Sequence, residues 1–166
     1  MLNFLIFILF VVIAFIVFNF HSKYYGGGEP IVIPYNSEIH AIEVKKIDDE
    51  AFPELIDMNT DFSKQKGWVL SDDEKVVGFC LYEEIEDGWY FSDFVVTNAY
   101  SGKGYGGKML DELISAADKA GIKMITRAYK GHEYLVKLYT KYGFESQPNS
   151  ENRLGSPLMI RHAKKQ

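Results

Sequence analysis

The segment Tyr100-Ser101-Gly102-Lys103-Gly104-Tyr105-Gly106-Gly107-Lys108 packs four glycines and two lysines into nine residues. That chemistry suits a phosphorylated ligand. Glycine lets a backbone approach an anion with no Cβ in the way. The N–H groups at a helix start have no intrahelical acceptor, and the positive end of the helix dipole adds to their pull on a diphosphate. Spacing alone leaves several readings open. Gly102-x-Gly104-x-x-Gly107 fits the dinucleotide fingerprint. That fold needs a carboxylate about 20 residues on, at the end of the next strand, and the sequence there reads Arg127-Ala128-Tyr129. Gly102-x-x-x-x-Gly107-Lys108 fits a P-loop until the next position, where a magnesium-binding Ser or Thr is required and Met109 stands. A merely flexible turn is the bland alternative. The reading favoured here is a pyrophosphate cradle of another kind.

The elements that must position this loop follow from the flanking patterns. Trp89 to Thr97 is aromatic and β-branched, a strand that leads into the glycines. Beyond them, Met109, Leu110, Leu113, Ile114 and Ala117 form one apolar helical stripe, with Gly121 placed to end the helix in a left-handed cap. Gly67–Leu70 and Lys75–Tyr82 read as strands around the turn Ser71-Asp72-Asp73-Glu74, and Asp87-Gly88 is a hairpin signal. Ile122–Tyr129 reads as a strand and Glu133–Tyr142 as an amphipathic helix stopped by Gly143. Phe144 onward and Pro157–His162 supply the last strands. Upstream, His40–Ile47 alternates and reads as a strand, with Asp48 or Asp49 capping a helix that carries Ala51, Phe52, Leu55 and Ile56. Ile31–Ser37 gives no clear pattern, and no internal repeat is present.

The N-terminus is of another kind. Phe4 to Phe18 is unbroken apolar sequence, and residues 2–20 extend it, interrupted only by Asn3 and Asn19. About 20 residues of helix cross a bilayer core, so the run predicts a transmembrane anchor over 1–21, followed by a flexible linker over 22–37 and a domain over 38–166. A cleaved signal peptide fits less well, because no Lys or Arg precedes the run and no small-residue cleavage site follows it. Lys23 is the one cation flanking it, which points to a single-pass protein with its domain on the cytoplasmic side. The net charge of −5 argues against a nucleic-acid partner, which would call for a basic face. The carboxylates cluster at Asp48-Asp49-Glu50, Asp72-Asp73-Glu74 and Glu83–Asp87; these read as solvated turns or as a patch that attracts a cationic amine. Cys80, the single cysteine, sits in an apolar run and reads as core.

Two stretches together resemble one known family. Phe94-Val95-Val96-Thr97-Asn98-Ala99-Tyr100-Ser101-Gly102-Lys103-Gly104-Tyr105-Gly106-Gly107-Lys108-Met109-Leu110 is similar to motif A of the GNAT acetyltransferase superfamily. His132-Glu133-Tyr134-Leu135-Val136-Lys137-Leu138-Tyr139-Thr140-Lys141-Tyr142-Gly143-Phe144 resembles its motif B. The resemblance covers residues 40–162 and leaves out the apolar run. It implies an α/β (α+β) domain with a mixed, mostly antiparallel sheet flanked by helices. It implies acetyl-CoA as co-substrate and transfer of an acetyl or other acyl group to an amine-bearing acceptor. A non-catalytic acyl-CoA-binding or interaction module of the same fold is the alternative.

The resemblance also implies roles. The backbone of Phe94 and Val96 pairs with the pantetheine arm in strand fashion. The amides from Gly102 through Gly104 and Tyr105 to Gly107 hold the pyrophosphate, with Lys103 and Lys108 either adding charge or standing as solvated helix lysines. Ser101 holds a position where the family usually carries Arg or Gln; it either caps the helix or bonds a phosphate. Tyr139 takes the place of the acid that protonates the leaving thiolate, or else it is a core residue. A family glutamate is replaced by Tyr90, so Asp93 is the candidate base, with Glu84, Glu86 or a water chain as alternatives. No metal site is expected.

Overall fold

The computed structural model describes residues 29–53, 60–128, 133–152 and 155–164. The apolar run at 2–20, on which the anchor rests, lies outside the described residues, as do Leu55, Ile56, Tyr129 and His132. Among the described residues, no helix is long and apolar enough to cross a membrane.

Among the described residues, seven strands form one sheet: β1 Ile31–Pro34, β2 Lys66–Asp72, β3 Lys75–Ile85, β4 Gly88–Val96, β5 Met124–Arg127, β6 Glu145–Ser146 and β7 Leu158–Arg161. Their order is β1-β2-β3-β4-β5-β7-β6. Every pairing is antiparallel except β4 with β5. Among the described residues, three α-helices cover the sheet: α1 Ser37–Ala51, α2 Tyr105–Ala120 and α3 Glu133–Lys141. The mixed, mostly antiparallel sheet with flanking helices is the architecture the sequence implied.

Two expectations are corrected. His40–Ile47 is not a strand but the middle of α1. Its alternation is incomplete, because Val44 and Ile47 are buried at helical spacing while Ile42 is 86% exposed. The start signal is Asn36, whose side chain accepts from the Glu38 amide at 2.9 Å. Asp48 therefore lies in the last turn of a helix rather than at the head of one. The second correction concerns 22–37, which is not linker throughout: Ile31–Pro34 pairs with Trp68–Ser71 as an edge strand. The sheet domain thus reaches back past position 38.

Strand alternation divides the core. Val69, Phe79 and Leu81 pack with Val44 and Ile47 of α1 on one face. Leu70, Cys80, Phe91, Met124 and Met159 pack with Met109, Leu110 and Leu113 of α2 on the other, where Tyr139 of α3 joins them. Cys80 is fully buried, as its apolar context predicts. Arg161, 2% exposed, ties β7 to α2 through a two-pronged ion pair with Asp118, both contacts at 2.8 Å. Gly121 ends α2 at φ +68°.

Candidate active site

The sheet opens between β4 and β5. Their parallel pairing runs only from Trp89–Met124 to Phe91–Thr126, while β4 continues to Val96. Just past Phe91 the register with β3 slips: Tyr82 faces Phe91, Leu81 faces Asp93, and Ser92 is the extra residue. This bulge resets the backbone alternation. The Thr97 amide donates to the Val77 carbonyl at 3.0 Å, so Thr97, Val95 and Asp93 turn their peptide groups toward β3. Phe94 and Val96 turn theirs the other way, into the gap left by β5. Among the described residues, the peptide groups of these two residues have no strand partner on that side, as pairing with an extended ligand arm requires.

The glycine loop borders the same gap. A one-turn 3-10 helix, Asn98–Tyr100, carries the chain out of β4. The Tyr100 hydroxyl bonds the Asp72 carboxylate and pins this turn to the β2–β3 hairpin. Gly102 and Gly104 then take φ of +73° and +86°, which only glycine adopts without strain. The first hydrogen bond of α2 is from the Lys108 amide to the Gly104 carbonyl. Among the described residues, none of the six amides from Gly102 to Gly107 donates to the protein. A Cβ at Gly102 or Gly104 would meet nothing within 4 Å. The loop is thus an exposed, donor-lined concavity at a helix N-terminus, and it fits a pyrophosphate group.

A cavity of about 890 Å³ fills the opening. Of the residues singled out in the sequence, Asp93, Phe94, Val96, Ser101, Gly102, Gly106, Gly107 and Tyr139 line it. Gly104, Tyr105, Lys103 and Lys108 do not. Tyr105 is 8% exposed and packs in the core. Lys103 lies 5.5 Å from the Tyr100 ring, and Lys108 lies 5.2 Å from the Tyr105 ring and 3.5 Å from Glu29. Both lysines thus stay near the loop with their charges directed to other partners. Ser101 is exposed and lines the cavity; the N-cap of α2 is Gly104, with no side-chain cap, so Ser101 does not cap the helix.

Tyr139 serves two surroundings at once. It is 3% exposed and makes edge contacts with Phe91 and tilted contacts with Phe144, each at 5.6 Å between centroids. It also lines the cavity. Burial pushes its phenol up, reinforced by Cys80 and Tyr134 and opposed by a hydrogen bond with Thr126. The phenol therefore stays protonated through the neutral range and is a donor, never a base, at the cavity wall.

The structure adds residues that sequence reading missed. Asp48, at the end of α1, and Gln65, just before β2, both line the cavity beside Asp93. Asp93 accepts from Gln65 Nε2 at 2.9 Å and from Ser92 Oγ at 2.7 Å. Gln65 Oε1 and Asp48 Oδ1 are enclosed and meet no partner among the described residues. Burial pushes the Asp48 carboxyl up to about 6, helped by the charges of Asp93 and Asp49 and opposed by Lys45. Reading α1 correctly from Asn36 would have placed Asp48 one turn beyond Val44, on the sheet side; Gln65 carries no sequence signal. Among the described residues, no cluster of His, Cys, Asp and Glu is arranged to hold a metal ion.

The profile of the acetyltransferase (GNAT) domain family matches residues 63–146. No curated protein sequence matches the chain. Solved structures share the fold at low identity. A GNAT-family acetyltransferase from Staphylococcus aureus is 16% identical with a TM-score of 0.63, over 81% of this chain and 99% of that one. The ribosomal-protein-S18-alanine N-acetyltransferase of Escherichia coli is 14% identical with a TM-score of 0.63, over 82% and 96%. A GNAT-family acetyltransferase from Elizabethkingia anophelis, solved with acetyl-CoA bound, is 17% identical with a TM-score of 0.60, over 81% and 98%.

Proposed function

Because this chain belongs to the GNAT acetyltransferase family, acyl-CoA-dependent N-acyltransferases with acetyl-CoA as co-substrate, we propose that it moves an acetyl group onto an amine acceptor held in the β4–β5 cavity. One observation carries the site assignment: Phe94 and Val96, whose peptide groups turn away from β3, and the loop residues Gly102, Gly106 and Gly107 line a single cavity that also reaches Tyr139, and the six amides of Gly102–Gly107 have no protein acceptor among the described residues. The co-substrate supplies an activated thioester. Acyl transfer forms a C–N bond as the C–S bond breaks, so the protein must orient the thioester, receive a neutral amine and return a proton to sulfur. The loop amides anchor one end of the co-substrate and the β4 edge aligns its arm. Tyr139 holds the proton that the departing sulfur takes.

Two measurements on the 166-residue chain test this. Calorimetry should show acetyl-CoA binding, and free thiol should accumulate only when acetyl-CoA and an amine are both present. Binding without transfer across a broad amine panel would favour the non-catalytic module instead. No binding would reject both.

We also propose that residues 2–20 anchor the chain in a membrane as a single-pass segment, with the domain on the cytoplasmic side. The support is the apolar run and Lys23. The full chain should remain in the membrane pellet after an alkaline carbonate wash, while a chain starting at residue 29 should not. Release of the full chain by carbonate would refute the anchor.

A further inference from the structure

The cavity holds a group of acceptors that neither the glycine loop nor Tyr139 uses. Gln65 is 5% exposed and lines the cavity. Its Nε2 is committed to Asp93 at 2.9 Å, which fixes the amide and leaves Oε1 as an enclosed acceptor with no partner. Asp48 Oδ1 is a second enclosed acceptor in the same state. Buried polar atoms in folded proteins are paired, so two orphan acceptors on one cavity wall call for a ligand that brings N–H donors. The nearby cations are otherwise engaged. Lys64 Nζ lies 3.0 Å from Asp61, and Arg127 donates to the carbonyls of Ser150 and Ser156 at 2.8 and 2.9 Å.

We propose that Asp48, Gln65 and Asp93 form an ammonium-receiving subsite that seats the acceptor's primary amino group, and that the Asp48 carboxylate takes the proton from it. This rests on the acetyl-transfer reading above. In the step, one N–H bond of R–NH3⁺ breaks and its electron pair stays on nitrogen as the attacking lone pair. An O–H bond forms on Asp48, and the charges +1 and −1 become two neutral groups. Asp93 is the positioning residue, because its carboxylate already accepts from Gln65 Nε2 and Ser92 Oγ. Asp48 Oδ1 has no such partner among the described residues, and burial, with the charge of Asp93 beside it, raises its carboxyl to about 6, which suits a proton acceptor near neutrality. Its own helix contributes Asp49 and Lys45, paired with each other at 2.8 Å. The remaining titratable groups on the cavity are Tyr90 of β4, Glu83 of β3, Asp61 and Lys64 of the turn before β2, Tyr100 of the turn after β4, Arg127 of β5, and Tyr134 and Tyr139 of α3.

The test is carbon-13 NMR of aspartate side chains in the full chain, with Asp48→Asn identifying the Asp48 signal. Methylammonium chloride is the probe and tetramethylammonium chloride, which has no N–H, the control. Methylammonium should move the Asp48 titration midpoint to lower pH in a saturable way, and tetramethylammonium at equal ionic strength should not. An equal response to both cations, or none, overturns the subsite. In turnover with an amine that is accepted, kcat/KM of the native chain should level off above about pH 7. That of Asp48→Asn should climb about tenfold per pH unit toward the pKa of the amine, because only the neutral amine then reacts. Superimposable profiles would also overturn it. Acetyl-CoA binding is measured in parallel: its absence rejects the transferase reading, whereas intact binding with a silent Asp48 signal rejects only the subsite.

Discussion

Gly104 and Gly121 are a matched pair. Each stands at an end of α2 in the left-handed region, at φ +86° and +68° respectively, and a Cβ built on either meets nothing within 4 Å. Replacing either by alanine therefore imposes similar backbone strain and no steric clash, about 1–2 kcal/mol by the usual left-handed penalty. For a domain of this size that is roughly a 3–7 °C fall in Tm for each variant. Only Gly104 sits in the donor-lined loop. If alanine relieves its strain by rotating φ toward negative values, the amides on either side swing off the pyrophosphate. Each hydrogen bond to a charged group contributes about 1.5–3 kcal/mol, so one lost bond weakens acetyl-CoA binding by about 10- to 160-fold. The assay is calorimetric titration with acetyl-CoA beside a thermal melt. Gly104→Ala should lose affinity by that factor, while Gly121→Ala should melt early but bind like the native chain. Equal affinity in the two variants would refute the cradle, since the strain is common to both and the location is not.

Other outcomes follow from the same geometry. Tyr139→Phe keeps the ring contacts with Phe91 and Phe144, so Tm should barely move while kcat falls on the order of 10²-fold or more; an unchanged kcat would assign Tyr139 to packing alone. Asp118→Ala leaves Arg161 buried without its ionic partner, which should lower stability by about 3 kcal/mol in denaturant titration, and a loss under about 1 kcal/mol would contradict that. Arg161 holds the Asp118 carboxyl below its ordinary value, by hydrogen bonding first and charge second. A depressed carboxylate stabilises the fold above its unfolded pKa of about 3.9 and loses that contribution as pH falls through the lower, folded value. Native and Asp118→Ala chains should therefore converge in stability only in strong acid; convergence near pH 6 would contradict the assignment.

The half of the chain after Ile85 was legible because its signals are local. The Gly121 and Gly143 stops, the stripe from Met109 to Ala117 and the Asp87-Gly88 turn each act within a few residues, and the structure reproduces them. The stretch before Lys66 was not, because short alternation competes there with a weakly amphipathic helix. Ile42, exposed on α1, completed an apparent strand pattern that tertiary packing overrides. That error hid Asp48. The peptide orientation of Phe94 and Val96 was likewise beyond sequence reading, since it depends on the Ser92 bulge and on where β5 stops. Gln65 became visible only because its amide oxygen is enclosed without a partner.

The central claim is that the backbone from Gly102 to Gly107, with Phe94 and Val96, receives acetyl-CoA. Amide chemical shifts of the nitrogen-15-labelled chain, followed as acetyl-CoA is added, test it most directly. The account predicts the largest, saturable changes at those eight amides, with ATP at the same concentration producing none of comparable size. Changes centred elsewhere on the sheet, or an equal response to ATP, would contradict it.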